Sequence, residues 1–139
     1  MMRTQKDDLA FGAKSEEVTL PILQNLVGSP LIKTNDFHPM DYTNEGMTIF
    51  VELKTRRVKH NQYPTALIGH NKVRFCFDPN VSYYFCFSYL DGLYYIKYDP
   101  ALFATFRVEE DYLRSERIGC ETRPQRIVHI PHTYLLPVS

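Results

Sequence analysis

The stretch "PMDYTNEGMTIFVELKTR", Pro39 to Arg56, decides how the chain is read. Thr43-Asn44-Glu45-Gly46 is a strong turn signal between two candidate strands, Met40-Asp41-Tyr42 and Met47 to Lys54. Side chains alternate across a strand with period two. Ile49, Val51 and Leu53 therefore share one face, and Phe50, Glu52 and Lys54 share the other. A strand this rich in β-branched and aromatic residues belongs in a sheet, yet one face carries a carboxylate and an amine. The turn folds Asp41 back beside them.

Upstream, the spacing predicts a helix from about Ser15 to Val27, with Val18, Ile22, Leu23, Leu26 and Val27 on one apolar side. Gly28-Ser29-Pro30 ends it, and Pro21 lies inside it. Glu16 lies near the edge of the apolar side, so packing the helix on the sheet brings a third carboxylate toward Asp41 and Glu52. Downstream, Thr65 to Ile68 reads as a short strand followed by a helix starting near Asn71. "VSYYFCFSYLDGLYYIKYD" reads as an aromatic hairpin turning at Asp91-Gly92. The tail from Glu109 is expected to hold a short helix and a last strand at Ile127 to Ile130. The order helix, strands, helix, strands gives an α/β (α+β) domain around one central mixed sheet.

A chain of 139 residues suits a single domain, residues 1–139. No apolar run approaches the roughly 20 residues that span a bilayer, so no membrane partner is expected. The first residues lack the apolar segment of a secretory signal, which predicts an intracellular protein that is not secreted. Cys76, Cys86 and Cys120 are odd in number and contain no CxxC, which argues against a disulfide framework or a zinc site. The 16 basic and 16 acidic residues cancel, so total charge does not point to nucleic acid. Their distribution says more: between Glu52 and Asp78 the only charged residues are Lys54, Arg56, Arg57, Lys59, Lys72 and Arg74, a local basic strip that the total conceals and that a solvated, charged surface would also explain. No P-loop, GxSxG or dinucleotide fingerprint is present.

An acid-x-Lys triplet alone carries little weight; its setting carries more. Asp41 and Glu52 offer hard oxygen ligands suited to Mg²⁺ or Mn²⁺. Such an ion neutralises phosphate charge and lowers the pKa of a coordinated water. Lys54 could hold that water or stabilise charge on the phosphorus in the transition state. Arg56, Arg57 and Lys59 follow directly, where a passing phosphate backbone would meet them.

The pattern Glu16 … Asp41 … Glu52-Leu53-Lys54 resembles the PD-(D/E)XK nuclease superfamily, which includes restriction endonucleases, Holliday junction resolvases and many viral and phage nucleases. The resemblance runs from about Gly12 to Phe87. One departure is that Met40, not Pro39, directly precedes Asp41. The resemblance implies a restriction endonuclease-like αβββαβ core, with a central mixed sheet flanked by helices and an added C-terminal β-hairpin. It implies a Mg²⁺- or Mn²⁺-dependent deoxyribonuclease hydrolysing DNA phosphodiester bonds, such as those of branched or viral DNA intermediates. Asp41, Glu52, Lys54 and Glu16 would be catalytic, and Leu53 would offer its carbonyl to the metal held by Asp41 and Glu52. Lys72, with His70 as the alternative, would be the polar residue that many members carry on the helix after the motif strand. Arg56, Arg57, Lys59 and Lys72 would bind DNA. Such enzymes often work as homodimers. The rival reading is a catalytically silent relative kept for nucleic-acid binding or assembly.

Overall fold

Strand β3, Ile49–Thr55, lies at the centre of a six-stranded sheet in a computed structural model that describes residues 18–112 and 124–138. Its neighbours on one side are β2 (Tyr42–Thr43) and then β1 (Ile32–Lys33), both antiparallel. On the other side β3 runs parallel to β5 (Ser82–Tyr89), which pairs antiparallel with β6 (Gly92–Lys97). A short strand, β9 (Leu136–Pro137), closes the far edge. One parallel pair among antiparallel ones makes this the expected mixed sheet. A parallel connection needs a crossover, and here it contains β4 (Thr65–Gly69) and helix α2 (His70–Phe75).

Alternation along β3 sorts the core into two layers. Val51 and Leu53 pair with Tyr84 and Cys86, and on that face they meet Leu23 of the first helix, α1, described over residues 18–27. Gly28 ends α1 with φ 72°, and Gly28 and Ser29 both donate to the Gln24 carbonyl. The opposite face presents Phe50, Glu52 and Lys54 beside Tyr83, Phe85 and Phe87. A second, three-stranded sheet covers it, in the order β4, β8 (Gln125–Pro131), β7 (Arg107–Tyr112). Ala66, Ile68, Val128 and Ile130 of that sheet pack into the Phe85 core, joined by Phe103 of the one-turn helix α3, Pro100–Phe103.

Two local expectations change. The hairpin after Asp41 is longer than a four-residue turn, because the Asn44 side chain accepts from Thr48 and Ile49 N–H and delays pairing until Ile49. Met47 takes the left-handed conformation there, with φ 56°. The aromatic hairpin turns at Leu90-Asp91, with Gly92 already paired to Tyr89, and β9 makes β6 an interior strand. Glu109 to Tyr112 belongs to β7, which pairs with β8, and residues 113–123 of the tail, where the short helix could fall, lie outside the described residues. The start of α1, including Glu16, lies outside the described residues.

Candidate active site

The register Tyr42↔Val51, continued by one residue, sets Asp41 opposite Glu52. The Asp41 N–H donates to the Val51 carbonyl at 3.0 Å, and its carboxylate accepts from the Leu53 N–H at 2.8 Å. The backbone thus holds Asp41 at the same level as Glu52, near enough for each carboxyl to act on the other.

Glu52 is only 1% exposed, beside Phe85, its partner in β5. Burial pushes its carboxyl up to about 7; the Asp41 contact adds to the rise, and Lys54 and Lys72 oppose it. Two amines approach the same oxygen, Glu52 Oε2: Lys72 Nζ at 3.0 Å and Lys54 Nζ at 3.4 Å. Neither is angled as a hydrogen bond, so a fully enclosed carboxylate oxygen stands in an ion-pairing field without a bonded donor. Lys72 also donates to the Pro39 carbonyl. Lys54 is a quarter exposed. Burial lowers its pKa; Glu52 works against that, while Arg56 adds to it.

The remaining candidates spread outward. Arg56 and Arg57 are half-buried and Lys59 exposed, in a loop that runs along the end of β5 through bonds from Arg56 N–H to Ser88 and from Leu90 N–H to Val58. Leu53 contributes its N–H, to Asp41. Lys72 sits inside the carboxylate cluster rather than out along a phosphate track. His70 lies in the field of Arg126, Arg74 and Glu110, all of which act on its ring. Sequence reasoning missed the Pro39 carbonyl, since backbone groups leave no residue-type signal. Among the described residues no group of three or more His, Cys, Asp or Glu gathers as a metal cluster, so Asp41 and Glu52 are the acidic pair there.

A carboxylate pair at the end of a central β-hairpin, with a lysine two residues along the same strand face, defines the class: this is a PD-(D/E)XK nuclease fold. A family model described as "Phage putative PDDEXK endonuclease" matches residues 13–134. The chain belongs to that family. No curated protein matches it.

Proposed function

We propose that the protein is a metal-dependent nuclease that hydrolyses DNA phosphodiester bonds at the Asp41–Glu52–Lys54 cluster. The convergence of two carboxyls and two amines on one enclosed point carries this reading. The donor set fits a Mg²⁺ or Mn²⁺ ion: two hard oxygen ligands side by side, with Glu52 Oε2 lacking a bonded hydrogen. Such an ion, when bound, neutralises phosphate charge and makes a nucleophile available at neutral pH.

The other roles belong to the chain itself. Asp41 and Glu52 would hold the ion, with the Leu53 carbonyl as a further donor, and because binding needs Glu52 ionised, affinity would rise with pH toward and past about 7. Lys54 orients the attacking water and donates to the phosphate oxygen as negative charge develops there. Lys72 holds Glu52 through its ion pair and would offer its charge to a phosphate bound there. Arg56, Arg57 and Lys59 hold the neighbouring backbone, each adding to a salt-sensitive affinity. Glu16 completes the ligand set or orients a water.

The test is cleavage of supercoiled, linear, single-stranded and branched DNA with Mg²⁺, Mn²⁺ or EDTA, beside Lys54→Ala. We expect cleavage that needs both the ion and Lys54. Cleavage persisting in EDTA or in Lys54→Ala overturns the mechanism. Binding with every ion but cleavage with none would assign the fold to DNA binding alone, the reading that the Lys72–Glu52 pair taken by itself favours.

A further inference from the structure

The basic segment that follows Lys54 is tied down along the β5–β6 hairpin. The Arg56 N–H donates to the Ser88 carbonyl at 2.9 Å, and the Leu90 N–H donates to the Val58 carbonyl at 3.0 Å. Beyond these, the Gln62 N–H donates to the Lys59 carbonyl at 3.1 Å and closes a turn. His60 lies inside that turn, and it fastens the segment to the tip of the hairpin.

Both oxygens of Asp91 meet His60. Oδ1 accepts the His60 N–H at 2.9 Å, and Oδ2 lies 2.5 Å from the ring Nδ1. The ring also lies flat on Tyr94, with centroids 4.3 Å apart and planes 13° from parallel. The edge of His132 meets it at 6.4 Å. An exposed ion pair by itself holds little. Here a main-chain bond and a ring stack are added, so both the place and the orientation of the side chain are set. The His60 bond is also the largest influence lowering the Asp91 carboxyl below its ordinary range.

The register puts this clamp on the face that carries the carboxylates. Lys54 is paired with Phe87, and Phe87 with Tyr94, in one row across β3, β5 and β6. Residues directly opposite in neighbouring strands project to the same side. Tyr94 accordingly packs against the core layer of Phe85 and Phe87. His60, stacked on Tyr94, therefore lies over the Lys54 face at a distance of two strands, roughly 10 Å of sheet. The chain between Lys54 and His60 carries Arg56, Arg57 and Lys59. Asp91 lies against this segment, and an unmasked carboxylate there would repel a phosphate backbone drawn to the three cations.

We propose that His60 is a positioning residue for the nuclease site: clamped to Asp91 and Tyr94, it holds Arg56, Arg57 and Lys59 along the Lys54 face for a DNA backbone and masks the Asp91 carboxylate. It acts on the grip for DNA and not on the reacting atoms. The proposal rests on the nuclease reading above and extends it to what sets the affinity of that site.

The test is steady-state cleavage of a linear duplex with Mg²⁺ by wild type, His60→Ala and His60→Asn, beside anisotropy titrations of the same dye-labelled duplex over a range of salt concentrations. We expect His60→Ala to raise KM about tenfold with kcat kept, and to flatten the slope of log affinity against log salt by about one, the share of one lost phosphate contact. Asparagine offers an N–H at the δ position, so His60→Asn should recover most of the affinity. Unchanged KM and salt slope in His60→Ala, with wild type cleaving, overturn the clamp and leave the nuclease reading standing. A fall in kcat with KM unchanged overturns it too, because a residue that only positions the grip leaves the chemical step alone. His60→Asn as weak as His60→Ala overturns the contact with Asp91 as the cause. If wild type binds DNA and does not cleave it, the nuclease reading fails and the salt slope alone decides the clamp. If it neither binds nor cleaves, both fall.

Discussion

Two clusters of acid and base stand on the two sheets, and they differ mainly in water. On the six-stranded sheet, Glu52 is 1% exposed, with Asp41, Lys54 and Lys72 crowded around it. On the three-stranded sheet, Glu109 keeps over a third of its side chain exposed. There His129 Nε2 lies 2.8 Å from both Glu109 and Arg107, while Nδ1 meets the Thr65 hydroxyl at 2.8 Å. The second cluster lines an open cleft of about 560 Å³; His129 is itself buried, but its partners Arg107 and Glu109 reach water. The first has its central carboxylate beside Phe85 and out of water, with two partly exposed amines against it. A buried carboxylate that must either keep a proton or gain a cation is poised to do chemistry; a hydrated one is already satisfied.

The largest expected effect tests the first cluster. Lys54→Ala should lower plasmid cleavage about a thousandfold, since it removes the donor facing the developing charge. It should leave the folded far-ultraviolet spectrum unchanged.

The second prediction concerns pH. Glu52 titrates near 4.5 when unfolded and about 7 when folded. Below pH 4.5 both states hold the proton. Between 4.5 and 7 the unfolded chain ionises first, so metal-free protein loses stability as pH rises, by about 3 kcal/mol once past 7. Urea unfolding across that range should show the slope, and Glu52→Gln should flatten it while abolishing cleavage. A slope unchanged in Glu52→Gln would mean that Glu52 is not the desolvated group.

Smaller effects belong to the other sheet. His129→Leu strips the Thr65 hydroxyl of its partner and should cost about 1–2 kcal/mol in urea unfolding with cleavage kept. Loss of cleavage there would erase the contrast between the clusters. Least of all, Arg126→Ala breaks an exposed pair with Glu110 and should change stability by under about 0.5 kcal/mol.

Much of this was legible from residue order. Val51 and Leu53 face one way and Glu52 and Lys54 the other, as two-residue alternation requires. The strand at Thr65 and the helix near Asn71 are close to β4 and α2. The three-stranded sheet was not legible. Its pairing sets Thr65 against Pro131 and Gly69 against Ile127, contacts nearly sixty residues or more apart that leave no local pattern. β7 shows the same limit: "RVEED" is weak as a strand by itself and becomes one only against β8. At the site, the acid-x-Lys spacing and the turn pointed to Asp41, Glu52 and Lys54, and the position of Lys72 on a helix after the strand was foreseeable. That its amine would lie 3.0 Å from Glu52 was not, because it depends on how the crossover packs.

The sequence by itself determined which side chains share a face of β3, because strand alternation is a local property of the backbone. It also set Asp41 next to that face, through a turn only a few residues long. The tertiary structure alone decided that Glu52 is dry and raised to about 7. That state needs Phe85 on the neighbouring parallel strand and a second sheet above it. Desolvation is summed over everything that displaces water, and most of those atoms come from distant parts of the chain.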